Sequence, residues 1–361
     1  MVDGRGKRGE GRGRLKQTCI VLTVAILAAA AFAVVRLREY RLRRWIAAAP
    51  RTELLRYISS HPDQPDALRR LGILDRNTGE VGESAKLLQR AVEAAPGDEA
   101  NWVELSRTLN DGQVTMQKLQ SYLSIEPDSA QIMAELARRK LQVGDISTAA
   151  SLASKAVKLT PDSPDAQRVM GDVAAAAGNW PRAESLYKRS LSLHDDPETR
   201  LALAHIWIPL QRYGAIIEIC SPIVTAGRSP EISVEQRARA LVYTAGAQLY
   251  QPLTPAEMAN VQQQLREADA LSERLPQAER FLPPYFMGES LIKSGSPKEA
   301  VPFLERSSSL APMFAGSLYS LSQAYRLSGQ TAKADAALTR HGQLVRQLTD
   351  MEKANDRSPG Q

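Results

Sequence analysis

Histidine, cysteine and aromatic residues are scarce in this sequence, and their scarcity removes most kinds of enzyme from consideration. The 361 residues include four histidines and two cysteines, and aromatics make up 5%. Cys19 lies in an apolar stretch and Cys220 in a helical pattern far away, so neither a disulfide framework nor a cysteine-based metal site can be built. Beside Ile217, Ile219 and Ile223, Cys220 reads as a small buried hydrophobe. His61, His194, His205 and His341 are scattered, without the paired spacing of a metal helix. No P-loop or GxSxG occurs, the one GxGxxG spacing (Gly4, Gly6, Gly9) lies in the basic N-terminal leader, and beyond it the glycines stand singly. His61 and His194 fall in turns where a solvated ring is the plain reading, and His205 reads as a packing histidine. These absences predict a chain with no enzymatic activity, no catalytic residue, no cofactor, no bound metal and no small-molecule substrate.

Long β-branched runs are also missing outside one N-terminal segment, while Ala and Leu dominate, which predicts an all-α fold. The net charge of +6 is not spread along the chain. Residues 1–44 hold eleven Lys/Arg against three Asp/Glu, leaving 35 basic and 37 acidic side chains for the rest. A nearly neutral remainder argues against a nucleic-acid partner, which would require basic excess on the folded surface.

The exceptional segment is Thr18 to Val35, TCIVLTVAILAAAAFAVV, 18 residues without a charge. At about 1.5 Å per residue it is just long enough for a hydrocarbon core of about 30 Å. Arg5, Lys7, Arg8, Arg12, Arg14 and Lys16 precede it, and Arg36, Arg38, Arg41, Arg43 and Arg44 follow. The expectation is a single transmembrane helix, in a bacterial inner membrane with the remaining domain on the exported side. The competing reading is a signal peptide cleaved near Ala33, leaving a secreted binding protein.

Internal repetition carries the fold. Pro62, Pro96, Pro127 and Pro161 follow one another at 34, 31 and 34 residues. Leu71-Gly72, Gly79, Leu88 and Ala91 keep step with the first interval. Met170-Gly171, Gly178, Ala183 and Tyr187 repeat the pattern, and so do Met287-Gly288, Gly295, Ala300 and Leu304. These residues resemble the tetratricopeptide repeat, a helix–turn–helix unit of about 34 residues. The family pattern places a large apolar residue and a small one at positions 7 and 8, Gly near 15, Ala at 20 and 27, and Pro at 32. Ser84 departs from it at position 20, and the second unit, near 99–129, is three residues short.

The resemblance implies a right-handed α-solenoid that binds other proteins or peptides. It divides the chain into a basic tail (1–17), the transmembrane helix (18–35), a basic segment with a capping helix (36–62) and a repeat array (63–227). An irregular insertion or degenerate repeat (228–280), further repeats (281–346) and a disordered tail (347–361) follow. The accessory domain of an envelope enzyme system is the competing role.

In such arrays the first helix of each unit lines a concave groove through positions 2, 5, 9 and 12. Carried onto this sequence, those positions give Arg69, Ile73, Arg76, Arg107, Asn110, Arg138, Arg168 and Asp172, and later Tyr285, Glu289, Tyr319 and Gln323. The arginines form a ladder whose planar forks suit carboxylates, so an extended acidic segment is the expected ligand. The plain alternative is a charged, solvated helix face. The Lys/Asn clamp for chaperone tails is absent: Arg69 and Ile73, Ala134 and Arg138, and Arg168 and Asp172 stand at its positions.

Overall fold

The computed structural model describes residues 29–109, 112–227 and 229–356, and every regular element among them is helical. Helix α1 (29–48) leads into α2 (Arg51–Ser60). Helix pairs follow: α3 (Pro65–Thr78) with α4 (Val81–Ala94), α5 (Glu99–Thr108) with α6 (Gly112–Ile125), and α7 (Ala130–Gln142) with α8 (Ile146–Leu159). Next come α9 (Pro164–Ala176) with α10 (Trp180–Leu193), then α11 (Pro197–Trp207) with α12 (Tyr213–Thr225). The last pairs are α13 (Val234–Gln248) with α14 (Pro255–Ala270), α15 (Leu282–Lys293) with α16 (Pro297–Leu310), and α17 (Ala315–Leu327) with α18 (Thr331–Asp356).

Local chemistry starts and stops these helices. Asp98, Ser129, Asp145, Ser163, Asn179 and Asp196 each cap a helix by accepting from an exposed backbone N–H of the first turn. Ser233 and Thr254 open α13 and α14 with reciprocal capping boxes. Gly79 closes α3 at φ 94°, a left-handed backbone that other residues adopt only with strain.

Pairing depends on close approach. A Cβ at Gly72 would sit 2.7 Å from Leu88 Cγ, at Gly171 2.6 Å from Tyr187 Cε1, and at Gly288 2.4 Å from Leu304 Cγ. In each unit the glycine lets the second helix seat a large side chain against the first helix's backbone. Ser84, Ala149, Ala183 and Ala300 are completely buried at the next small-residue position, so the serine fills the same space as alanine. Each second helix also packs on the first helix of the following unit, building one continuous core.

First helices touch their successors from α3 through α17, whereas the described second helices make no comparable contacts with one another. The first helices therefore lie on the inner side of the curve. The curl is tight enough that α13 reaches α3. Arg70 Nη1 donates to Glu231 Oε2 at 2.9 Å, and Asn77 Nδ2 donates to the Pro230 carbonyl at 3.0 Å. Arg274 lies against Gly79 on the same side. Residues 229–280 thus supply a helix pair, two 3₁₀ turns (Ser272–Arg274 and Gln277–Glu279) and the surface that meets the first repeat.

The expected single-pass membrane localisation is overturned. Among the described residues no helix is long and apolar enough to cross a membrane. Residues 18–28 of the expected span lie outside the described residues. Its described part, 29–35, runs without a break into a stretch of α1 carrying Arg36, Arg38, Glu39, Arg41, Arg43 and Arg44. Ala33, the expected cleavage point, lies inside the same helix. The inner-membrane and envelope placement loses its basis with the span. A second correction concerns the C-terminus: α18 continues through Asp356, so residues 347–356 are helical, and 357–361 lie outside the described residues.

Candidate partner-binding surface

Four consecutive first helices carry the same local device, an acid three residues before an arginine: Asp66 and Arg69, Glu104 and Arg107, Glu135 and Arg138, Asp165 and Arg168. This spacing puts both groups on one helix face. Curvature then brings each pair against the next. Arg69 reaches Asp66 at 2.6 Å, Asp98 at 2.6 Å and the Asn101 side chain at 2.7 Å. Arg76 pairs with Glu104 at 2.8 Å. Arg107 spans three units, touching Glu104 at 2.9 Å, Glu135 at 3.5 Å and Asp165 at 3.3 Å.

Glu135 is the centre of this network. Only 1% exposed, it receives Arg107, Arg138 and Arg139, the last at 3.1 Å. Burial pushes its carboxyl up, but the three guanidinium groups outweigh burial and hold it below the usual range. Asp165 behaves alike: burial raises it, and Arg107, Arg138 and Arg168 bring it down to about 2. Arg138 is lowered to about 10, by burial first and then by neighbouring Arg168, which outweigh Glu135 and Asp165. Arg168 lies 3.9 Å from Asp165 and 3.6 Å from Asp172, whose other oxygen accepts from the Tyr187 hydroxyl at 2.9 Å.

The arginine ladder expected from sequence is therefore assembled in space, but its rungs are occupied by the chain's own carboxylates. The surplus is on the donor side: Nε and Nη2 of Arg138 and Nε of Arg168 are buried with no hydrogen-bond partner among the described residues. Ile73 is half-buried on α3, and Asn110 lies outside the described residues.

Beyond α9 the chemistry changes. Arg239 on α13 stands among Glu279 at 3.2 Å, Glu198 at 3.6 Å and the Tyr243 hydroxyl at 3.2 Å. Glu235, one turn before it, is pushed up to about 7 by burial and then by repulsion from Glu198 and Glu279. Tyr285 and Glu289 share one face of α15, while Tyr319 is 48% exposed near His341 and Gln323 is half-buried on α17. Sequence reasoning missed Tyr213 and Tyr250, whose rings stack at 4.3 Å and 4°. They stand at helix ends that the groove positions of the repeat do not cover. His205 is corrected as well: Ala204 fills the packing position and His205 is exposed. Cys220 is fully buried, its thiol raised by burial to about 12.

A cleft of about 580 Å³ opens between α5 and α6, lined by Pro96, Trp102, Val114, Tyr122 and Ile125. It belongs to the short second unit, and none of the predicted groove residues lines it.

The tetratricopeptide repeat family model matches residues 37–99 and 135–198. The first match begins within α1, so it includes the helices preceding α3. The solved APC/C hetero-tetramer Cut9–Hcn1 is similar over 80% of this chain and 55% of that one, with a TM-score of 0.65 and 14% identity. This chain thus spans about half of that structure's length. TTC0263, a thermophilic TPR protein of Thermus thermophilus, is similar over 50% of this chain and 98% of its own, with a TM-score of 0.42 and 20% identity. No curated protein matches the sequence. At such identities a solved structure speaks to fold alone. With the family match and the helix pairs described above, the chain is an all-α solenoid of tetratricopeptide-like repeats, a class that generally mediates protein–protein interaction and assembly.

Proposed function

We propose that this chain is a non-catalytic scaffold or assembly factor that holds an extended segment of a partner protein along its inner face, with an acidic stretch of that segment at Arg138 and Arg168. The observation that supports this reading is the surplus of donors. Arg138 and Arg168 keep three buried nitrogens without hydrogen-bond partners, and their shared counter-ion, Asp165, is 44% exposed at the surface. A partner carboxylate that displaces Asp165 would gain charge-assisted, forked hydrogen bonds from arginines already held in place. Asp165 thus acts as an internal competitor for the site.

The test is fluorescence polarisation of a labelled aspartate- and glutamate-rich dodecapeptide with the full chain. Asp165→Asn removes the competitor and should tighten binding by about tenfold, whereas Arg138→Gln or Arg168→Gln should weaken it by about tenfold. An acidic peptide that binds all four proteins equally, or none of them, overturns the assignment.

A further inference from the structure

Two carboxylates on the inner face of the later repeats, Glu235 and Glu289, have no ion pair among the described residues, and Glu289 is the one with aromatic rings around it. Glu289 is half-buried on α15, and among the described residues it takes part in no ion pair and no hydrogen bond. Lys293, one turn further along the same helix, does not reach it within ion-pairing distance. The earlier repeats pair every groove arginine with a carboxylate, so an unpaired, half-buried acid stands out as a vacancy for a cation.

The surroundings of Glu289 are aromatic. Tyr285 lies one turn before it on the same face of α15 and packs edge-on against Phe314, with ring centroids 5.1 Å apart at 90°. Tyr250 follows the end of α13, which runs beside α15: a Cβ at Gly246 would lie 2.6 Å from Phe286 Cζ. One helical turn beyond Gly246, Tyr250 is brought level with Glu289. Tyr213, at the start of α12, stacks flat on Tyr250 and fixes the plane of its ring, while Tyr250 itself stays 52% exposed. The closeness of the group is reflected in titration. Burial is the largest cause that pushes the hydroxyls of both Tyr250 and Tyr285 up, and the Glu289 carboxylate adds to it in each.

We propose that Tyr250, backed by Tyr213, together with Tyr285 and Glu289 forms a binding site for a cationic side chain, lysine or arginine, of a partner protein. The rings present electron-rich faces to the cation, and Glu289 supplies the counter-charge. The site rests on the reading of this chain as a protein-binding solenoid, but it is independent of the acidic contact at Arg138. Together the two contacts would select a segment that is acidic at one end and basic at the other, and so fix its direction along the curve.

The experiment is calorimetric titration of the full chain, at fixed ionic strength, with a short glycine–serine peptide carrying two lysines and with its Nζ-acetylated counterpart. The lysine peptide should bind, and acetylation should weaken it by about tenfold, because the ring and carboxylate contacts both need the charge. Glu289→Gln should weaken the lysine peptide by about fivefold and Tyr250→Leu by about threefold, while Tyr250→Phe, which keeps the ring, should bind as the parent does. Thermal unfolding of each variant checks that it remains folded. Equal binding of both peptides, no binding of either, or an unchanged affinity in Glu289→Gln overturns the site. Running the acidic dodecapeptide against Glu289→Gln separates the two ideas: its binding should be unaffected, and its failure to bind any form would sink the arginine contact and leave this one standing.

Discussion

The inner surfaces of the earlier and later repeats share a backbone design and differ in how their charges are matched. From α3 to α9, Arg69, Arg76, Arg107, Arg138, Arg139 and Arg168 interleave with Asp66, Asp98, Glu104, Glu135, Asp165 and Asp172. From α11 to α15, Glu198, Glu235 and Glu279 surround Arg239, Glu289 stands apart from it, and tyrosines replace the remaining arginines. A row of like charges in sequence therefore says little about what a partner meets. The earlier face is a network of matched charges that rigidifies the curve and leaves donors over only at Arg138 and Arg168, and the later face keeps an unanswered charge. Counting partners, rather than arginines, locates the place where binding energy remains to be gained.

The strongest way to break this contrast is to remove one carboxylate from each half. Glu135→Ala leaves Arg107, Arg138 and Arg139 close together without their shared counter-ion, in a largely buried place where water screens them poorly. It should destabilise the fold by about 3 kcal/mol or more, read as a lower urea midpoint with an unchanged slope. Glu289→Ala removes a carboxylate that holds nothing, and should change stability by less than about 0.5 kcal/mol. Equal losses from the two substitutions would show that the two faces do not differ in kind.

Much of this was legible in the sequence alone. The proline and glycine intervals mark out the helix pairs, and Gly72, Gly171 and Gly288 mark contacts that the fold places under a large side chain. The acid three residues before each arginine was equally visible, in Asp66, Glu104, Glu135 and Asp165, yet a face read by position numbers alone shows the arginines and hides their partners. Contacts across units were beyond the sequence. Arg107 meets Asp165 58 residues away because three units curve around a common axis, and no local pattern encodes that angle. Tyr213 and Tyr250 escaped for a related reason: a helix start in one unit and a helix end in the next meet only when the units stack. The apolar stretch before Arg36 misled in the opposite sense, since hydropathy ranks a window without knowing where its helix continues.

Acid should separate the two halves more gently. A carboxyl held low in the folded state stabilises it above its unfolded value and loses that contribution as pH falls through the folded value. Asp165, at about 2, and Glu135, also lowered, therefore weaken the earlier repeats as pH drops from about 4 towards 2. Glu235, raised to about 7, works the other way: the folded state binds its proton more tightly, so stability rises as pH falls from about 7 towards 4.5. Its partial exposure lets water screen the repulsion and keeps this second effect small. Thermal midpoints measured against pH should pass through a maximum between the two ranges. Glu235→Gln should flatten the near-neutral limb and Asp165→Asn the acid limb. A profile unchanged by both variants would remove these groups from the account.

The smallest expected effect tests what joins the halves. Arg70 is mostly buried on α3, whereas Glu231 is 58% exposed ahead of α13, so their ion pair should contribute no more than about 1 kcal/mol. Stability is the wrong readout for it. The pair bridges 161 residues, so its removal acts on curvature rather than on any one repeat. Glu231→Arg places two cations face to face and should open the gap between α3 and α13, visible in solution scattering as a larger maximum dimension with an unchanged helix content. The exchanged double variant, Arg70→Glu with Glu231→Arg, should close it again, and high salt should open the parent partway. If Glu231→Arg leaves the dimension unchanged at low salt, closure rests instead on the Asn77 bond to the Pro230 carbonyl and on Arg274 against Gly79, and Asn77→Ala becomes the variant that opens the curve. Either result bears on binding, because a curve that opens would spread Arg107 and Arg138, on α5 and α7, away from Asp165 on α9 and add to the donors left without a partner.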